Sequence, residues 1–112
     1  MTNENRETSF PLKLLLNIIN IEEYPFTSMV IENKLTNEEY DELMGLLQEL
    51  DQTFHQQKEE GLLNYTSLLI HFAGMLTEKL SPTETIKALK KEGLFLDLMT
   101  EFMNIIEGQG YE

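Results

Sequence analysis

Residues 36–61 read TNEEYDELMGLLQELDQTFHQQKEEG, and this stretch decides the fold class because it carries a full set of helix signals. Thr36 and Glu39 have the spacing of a capping box, in which each side chain accepts a hydrogen bond from the other residue's backbone N–H. Apolar residues then recur at helical spacing, at Tyr40, Leu43, Met44, Leu47, Leu50 and Phe54. Gly61 can adopt the left-handed conformation that ends a helix. The stretch therefore predicts one long helix.

Five further segments with helical periodicity flank the long helix, and the connections between them are very short. They cover about residues 9–20, 24–33, 64–80, 81–93 and 94–107, and sustained strand alternation is found in none of them. The sequence thus predicts an all-α protein, a compact multi-helix array or bundle of about six helices with one long central helix. We expect a disordered segment at residues 1–8, a single helical domain at 9–107 and a frayed tail at 108–112.

Charge and composition exclude several classes of protein. Twenty acidic and eight basic residues give a net charge of -12, so a nucleic-acid backbone would be repelled and direct binding to it is disfavoured. The chain has no cysteine, which excludes disulfides and thiol nucleophiles. It shows no signal-peptide pattern and no apolar run of the roughly 20 residues that a membrane span needs. We therefore expect a cytoplasmic protein that does not contact membranes.

The few residues that could carry catalysis or bind a metal have unsuitable spacing. Asp51, His55 and Glu59 share one helical face, but they span about 12 Å along the helix and cannot converge on one ion. His71 and Glu78 are two turns apart, roughly 10 Å, which is too far for a catalytic triad. No glycine-rich phosphate loop is present. We expect no enzymatic activity, no metal and no cofactor.

Several blocks of the sequence match a known family. They are Tyr24-Pro25-Phe26, LTNEE at 35–39, FAGMLTEKL at 72–80, ETIKAL at 84–89 and GLFLDLMTEF at 93–102. Together they resemble the YhaI-like family, small uncharacterised all-helical proteins of Bacillus-type bacteria and some of their phages. The resemblance covers about residues 24–102, and the first twenty residues depart from it. It implies an all-helical fold assembled as a homo-oligomer, and it provides no catalytic motif to transfer.

The width of the apolar arcs also predicts self-association. A helix packed on one side needs an apolar stripe of only about 100°, whereas segments 9–20, 64–80 and 94–107 have wider arcs. A domain of this length has a radius of gyration of about 13 Å and cannot place three helices at its centre. We therefore expect segment 9–20 to be buried on most sides and the chain to be a homo-oligomer. The predicted interface consists of Ile70, Leu96, Met99 and Met103 with part of segment 9–20.

Protein–protein interaction through self-association, as an adaptor or regulator, is therefore the favoured function, and two alternatives stay open. The first is an acidic antagonist of a basic nucleic-acid-binding protein, in a phage-related setting, whose carboxylates stand in for phosphates. Its candidate acidic face consists of Glu38, Asp41, Glu42 and Glu49. The second is a binder of a small apolar ligand. Its pocket would be lined by Met44, Met75, Met99 and Phe72, although methionine and phenylalanine at helical spacing are usually core residues.

Overall fold

The computed structural model describes residues 10–15 and 17–110, with only the backbone described at 109 and 110. It contains five α-helices after residue 20: α1 (Pro25–Glu32), α2 (Asn37–Glu59), α3 (Thr66–Met75), α4 (Pro82–Glu92) and α5 (Leu96–Gly110). A 3-10 turn at Ile21–Glu23 precedes α1. Helical backbone is also found at 10–15 and 17–18, and these residues with Ile19 are here called the N-terminal segment. No strand occurs in the described ranges, so the all-α prediction is confirmed.

The long helix α2 begins and ends as its sequence predicts. The Glu39 N–H donates to the Thr36 hydroxyl at 3.1 Å, and the Thr36 N–H donates to the Glu39 carboxylate at 2.9 Å, which completes the capping box. At the other end Gly61 has a φ of +86°. The Leu62 N–H there reaches back to the Gln57 carbonyl at 2.9 Å, in the hydrogen-bonding pattern of a glycine-terminated helix.

One core joins the five helices. Helix α4 packs against both α1 and α5, α2 packs against α3, and α3 contacts α5. The largest fully buried hydrophobic side chains come from every helix: Phe26, Leu47, Phe72, Ile86, Leu89, Leu98, Met99 and Phe102. The molecule is nevertheless elongated, with extents of 54 × 27 × 25 Å and a radius of gyration of 16.2 Å. A compact domain of this length would have a radius of gyration of about 13 Å, so the chain is more extended than a sphere of its size.

The N-terminal segment is exposed, and the prediction that it is buried on most sides is wrong for its described residues. Six large apolar side chains there have exposed fractions between 38% and 80%: Phe10, Leu12, Leu14, Leu15, Ile18 and Ile19. The physical reason is that a wide apolar arc shows only that a helix surface favours burial. It does not show whether the same chain or another molecule covers that surface. In the single chain, the core formed by α1–α5 does not cover this segment.

Three helix boundaries differ from the predictions: the end of α3 and both ends of α5. Helix α3 ends at Met75 rather than near residue 80 because Leu76 turns extended, with a ψ of 140°, and the Thr77 hydroxyl accepts the Lys79 N–H at 3.3 Å. Helix α5 begins at Leu96, two residues later than predicted, because a turn from Gly93 to Phe95 separates it from α4. It also continues to Gly110, into the predicted tail. Residues 1–8 and 111–112 lie outside the described ranges.

Candidate functional site

A groove runs between α2 and α3 with a volume of about 440 Å³. The residues that line this α2–α3 groove are Glu39, Glu42, Leu43, Gly45, Leu46, Glu49, His71, Met75, Leu76 and Thr77. Its floor is apolar, since it includes Leu46, Met75 and Leu76, and Met75 is exposed there despite its apolar side chain. Carboxylates of α2 form one rim. Such a combination fits an amphipathic partner better than a purely charged one.

The predicted acidic face lies on the surface, and half of it borders the groove. Glu38, Asp41, Glu42 and Glu49 are all exposed on α2. Glu42 and Glu49 line the groove, whereas Glu38 and Asp41 do not. Among the ion pairs of the described residues, none involves any of these four carboxylates.

Glu39, the remaining groove carboxylate, is held in place by the chain itself. The Lys79 ammonium donates to the Glu39 carboxylate at 2.7 Å and to the Lys34 carbonyl at 3.0 Å. The Lys79 hydrogen bond, followed by the Thr36 backbone N–H, lowers the pKa of Glu39 below its usual value. Glu39 is thus a structural residue that ties the start of α2 to the turn after α3. The capping role of Glu39 is evident from the sequence, but its contact with Lys79, forty residues away, is not.

Gly45 lines the same groove in the middle of α2, where the fold does not require a glycine. A β-carbon added there would meet no atom within 4 Å. Glycine in a helix interior costs roughly 0.5–1 kcal/mol relative to alanine. An interior glycine within a strong helical pattern is the sequence signal that could have identified this residue. Because Gly45 has no side chain, another molecule in the groove could approach the backbone of α2 closely.

A second feature is an apolar pocket of about 370 Å³ beside the N-terminal segment. It is lined by Ile19, Ile21, Tyr24, Thr27, Ser28, Ile31 and Glu92. The exposed N-terminal segment leads directly into it through Ile19. The segment and the pocket therefore form one continuous apolar surface at the start of the described chain.

Glu92 fixes the wall of this pocket by capping a helix distant in sequence. Tyr24, at the N-cap position of α1, makes no capping hydrogen bond with its side chain. The Glu92 carboxylate accepts the backbone N–H groups of Phe26 and Thr27 at 2.9 and 3.0 Å, and the Thr27 hydroxyl at 2.8 Å. This role of Glu92 was not predicted from the sequence. The available signal was an acidic residue at the C-terminus of α4, where the helix dipole disfavours negative charge.

The four residues of the predicted interface separate into two pairs. Ile70 and Leu96 are on the surface, with exposed fractions of 66% and 49%. Met99 and Met103 are instead buried in the core of the single chain. Their helix, α5, is covered by α4 on one side and by α3 on another, so its wide arc is satisfied internally. Met99 and Met103 are therefore not on the surface of the single chain, whereas Ile70 and Leu96 are.

The residues of the predicted ligand pocket are also divided between the core and the α2–α3 groove. Of the predicted ligand pocket, Phe72 and Met99 are in the core, Met44 is partly buried against the core, and Met75 lines the α2–α3 groove. The four side chains do not line one cavity.

Of the candidate metal ligands on α2, the His55 Nε2 lies 3.5 Å from the Asp51 Oδ1. Within the described ranges, no cluster of three or more residues is arranged to hold a metal ion. None of the described helices combines the length and the apolar composition that crossing a bilayer requires.

Comparison with known families gives one finding. The model of a family described as a protein of unknown function, DUF1878, matches residues 1–107. Because the match covers nearly the whole chain, the protein belongs to this family.

Proposed function

We propose that this DUF1878 protein is a non-enzymatic interaction protein that self-associates through its N-terminal segment. The observation that carries the proposal is the exposure of six large apolar side chains in that segment, continuous with an apolar pocket. Soluble monomers rarely expose contiguous apolar patches of more than a few hundred Å². A partner that covers this surface removes that exposure.

Charge favours a second copy of the chain as the partner. Two copies that each have a net charge of -12 repel one another wherever their carboxylates meet. Residues 10–19 contain a single charged residue, Lys13, and no acid. The segment is therefore a region where two copies can approach without bringing carboxylates together. Pairing about a two-fold axis would bury the same stripe on both copies. Ile70 and Leu96 are the remaining candidates for extending this interface.

The test places a charge in the centre of the proposed interface. Ile18→Asp changes a side chain that is 80% exposed in the single chain, so the fold should persist while association is lost. Leu63→Asp is the matched control, because Leu63 is 88% exposed and lies outside the segment, in the connection after α2. Light scattering coupled to size exclusion should give a multiple of 13.1 kDa for the control and a single-chain mass for Ile18→Asp. Equal masses for the two variants would contradict the proposal.

A second candidate function rests on the acidic face. Glu38, Asp41, Glu42 and Glu49 are exposed and without ion pairs among the described residues, which favours an acidic antagonist of a basic nucleic-acid-binding protein. Its binding should weaken steeply between low and physiological salt. The quoted sequence blocks also support a narrower placement within the family, among YhaI-like proteins of Bacillus-type bacteria and their phages. A cytoplasmic location is part of the proposal, and the lack of cysteine favours it.

A further inference from the structure

We propose that the α2–α3 groove binds an amphipathic helix. The apolar stripe of this helix is flanked by two basic residues seven positions apart. The proposal assigns Glu42 and Glu49 of the acidic face to a defined binding site. It therefore rests on the second candidate function. The groove shares no lining residue with the N-terminal segment or the pocket beside it. Groove binding and self-association can therefore fail independently.

The floor of the groove supplies the apolar contact. Leu46 is half-buried against the core and Met75 is exposed on the opposite wall, so both present apolar atoms to the groove. Methionine adapts its shape to irregular apolar partners, which suits a binding surface. An apolar stripe on a partner helix would cover these side chains, as in other complexes that seat a helix in a groove.

The rim carboxylates define the charge and spacing of the partner. Glu42 and Glu49 are seven residues apart, which is two helical turns or about 10.5 Å along the axis, on nearly the same face of α2. Lys79 compensates Glu39, so Glu42 and Glu49 are the groove carboxylates without an ion pair among the described residues. A helix lying along α2 would meet both with lysine or arginine at positions i and i+7. An acidic helix would be repelled by the same pair.

Gly45 provides the close approach. It lies between the two carboxylates in sequence and lines the groove, and an added β-carbon would have no atom within 4 Å apart from its chain neighbours and the backbone of its own helix. A helix interior is more stable with alanine at such a position. We infer that the missing side chain admits a partner helix near the α2 backbone. This separates stability from binding: a methyl group at residue 45 should stabilise the free protein and obstruct the complex.

The probe is a synthetic amphipathic helix of about five turns, with leucines on one side, lysines at i and i+7, and one tryptophan. The protein has no tryptophan, so the peptide's fluorescence reports binding directly. A control peptide replaces the lysines with glutamates. Gly45→Ala is compared with Gly74→Ala, since Gly74 is likewise helical with open space around it but does not line the groove. Each peptide is titrated against each protein variant at about 50 mM salt, where the screening of charges is weak.

We expect saturable binding of the lysine peptide, at least about tenfold weaker binding of the glutamate peptide, and about tenfold weaker binding by Gly45→Ala. Gly74→Ala should bind like the unchanged protein, and the double variant Glu42→Gln with Glu49→Gln should bind about tenfold more weakly. Ile18→Asp should retain binding, because it leaves the groove intact. No saturation below about 1 mM would overturn the proposal. Equal binding of the two peptides would overturn it as well, and so would undiminished binding by Gly45→Ala.

Discussion

At the scale of single residues, Glu92 has a role opposite to the one its own helix favours. It is the last residue of α4, where the helix dipole disfavours an acid, and no other acidic side chain is present in the last turn. Its carboxylate accepts two backbone N–H groups and one hydroxyl at the N-terminus of α1, where the dipole favours an acid. The unfavourable position on α4 is thus offset by the cap that Glu92 provides for α1.

Replacing this carboxylate with an amide should weaken the cap. Glu92→Gln retains the shape of the side chain but removes its charge, and we expect a loss of about 1–2 kcal/mol in the free energy of unfolding. Urea unfolding at one fixed protein concentration measures the loss, because association also contributes to stability. Glu107→Gln, an exposed change on α5, is the control. Equal unfolding of the two variants would show that the cap is not stabilising.

Glu39 and Lys79 form a contact that depends on pH. Because the pKa of Glu39 is lowered in the folded chain, its contribution to stability is complete above the pKa of an unfolded-chain glutamate, about 4.3. That contribution is lost as the pH falls through the folded pKa. Lys79→Met removes the largest cause of the shift. We expect the pKa of Glu39 to rise toward its usual value in this variant, as measured by NMR titration, and an unchanged pKa would contradict the assigned cause.

At the scale of elements, three helices end in the same way although only two of them have a glycine. Gly61 and Gly93 adopt positive φ after α2 and α4, and Lys34 does so after α1 with a φ of 56°. The Leu35 N–H then reaches the Val30 carbonyl at 3.1 Å, as at the glycine-terminated ends. A left-handed conformation is unfavourable for a residue that has a β-carbon. The end of α1 is therefore strained at Lys34.

Glycine at this position should relieve the strain. Lys34→Gly keeps the carbonyl that Lys79 contacts, and we expect it to raise the free energy of unfolding by about 0.5–1 kcal/mol. Lys34→Ala is the matched control, since it also removes the charged side chain but retains the β-carbon. Urea unfolding should rank the glycine variant above the alanine variant. The reverse order would show that the left-handed residue costs nothing here.

The starts of α2 and α4 could be predicted because their signals are local. The hydroxyls of Thr36 and Ser81 cap α2 and α4 as their sequence spacing indicates. The end of α3 could not be predicted, because the turn after Met75 still places Leu80 in the core and so preserves an apolar pattern. The cap that Glu92 provides for α1 could not be predicted either, because it joins residues more than sixty positions apart. The groove depends on how α2 packs against α3, and helical periodicity carries no information on that packing.

At the scale of the whole molecule, the chain covers two apolar arcs to different extents. Most of the arc of α5 is buried within the chain, so Met99 and Met103 are core residues, while Leu96 is exposed. The arc of the N-terminal segment remains exposed on an elongated molecule. Sequence alone cannot separate these cases, because both give the same periodicity. Of the surfaces considered for self-association, the N-terminal segment, Ile70 and Leu96 are exposed in the single chain, and the proposed interface is placed there.

The most direct test of this account is the mass of the unmodified protein in solution. Sedimentation equilibrium between about 1 and 100 μM covers the range in which a moderately stable apolar interface forms. If the N-terminal segments of two copies pair, the mass should rise to at least twice 13.1 kDa within this range and return to 13.1 kDa in Ile18→Asp. A mass of 13.1 kDa for the unmodified protein at every concentration would contradict self-association through the N-terminal segment.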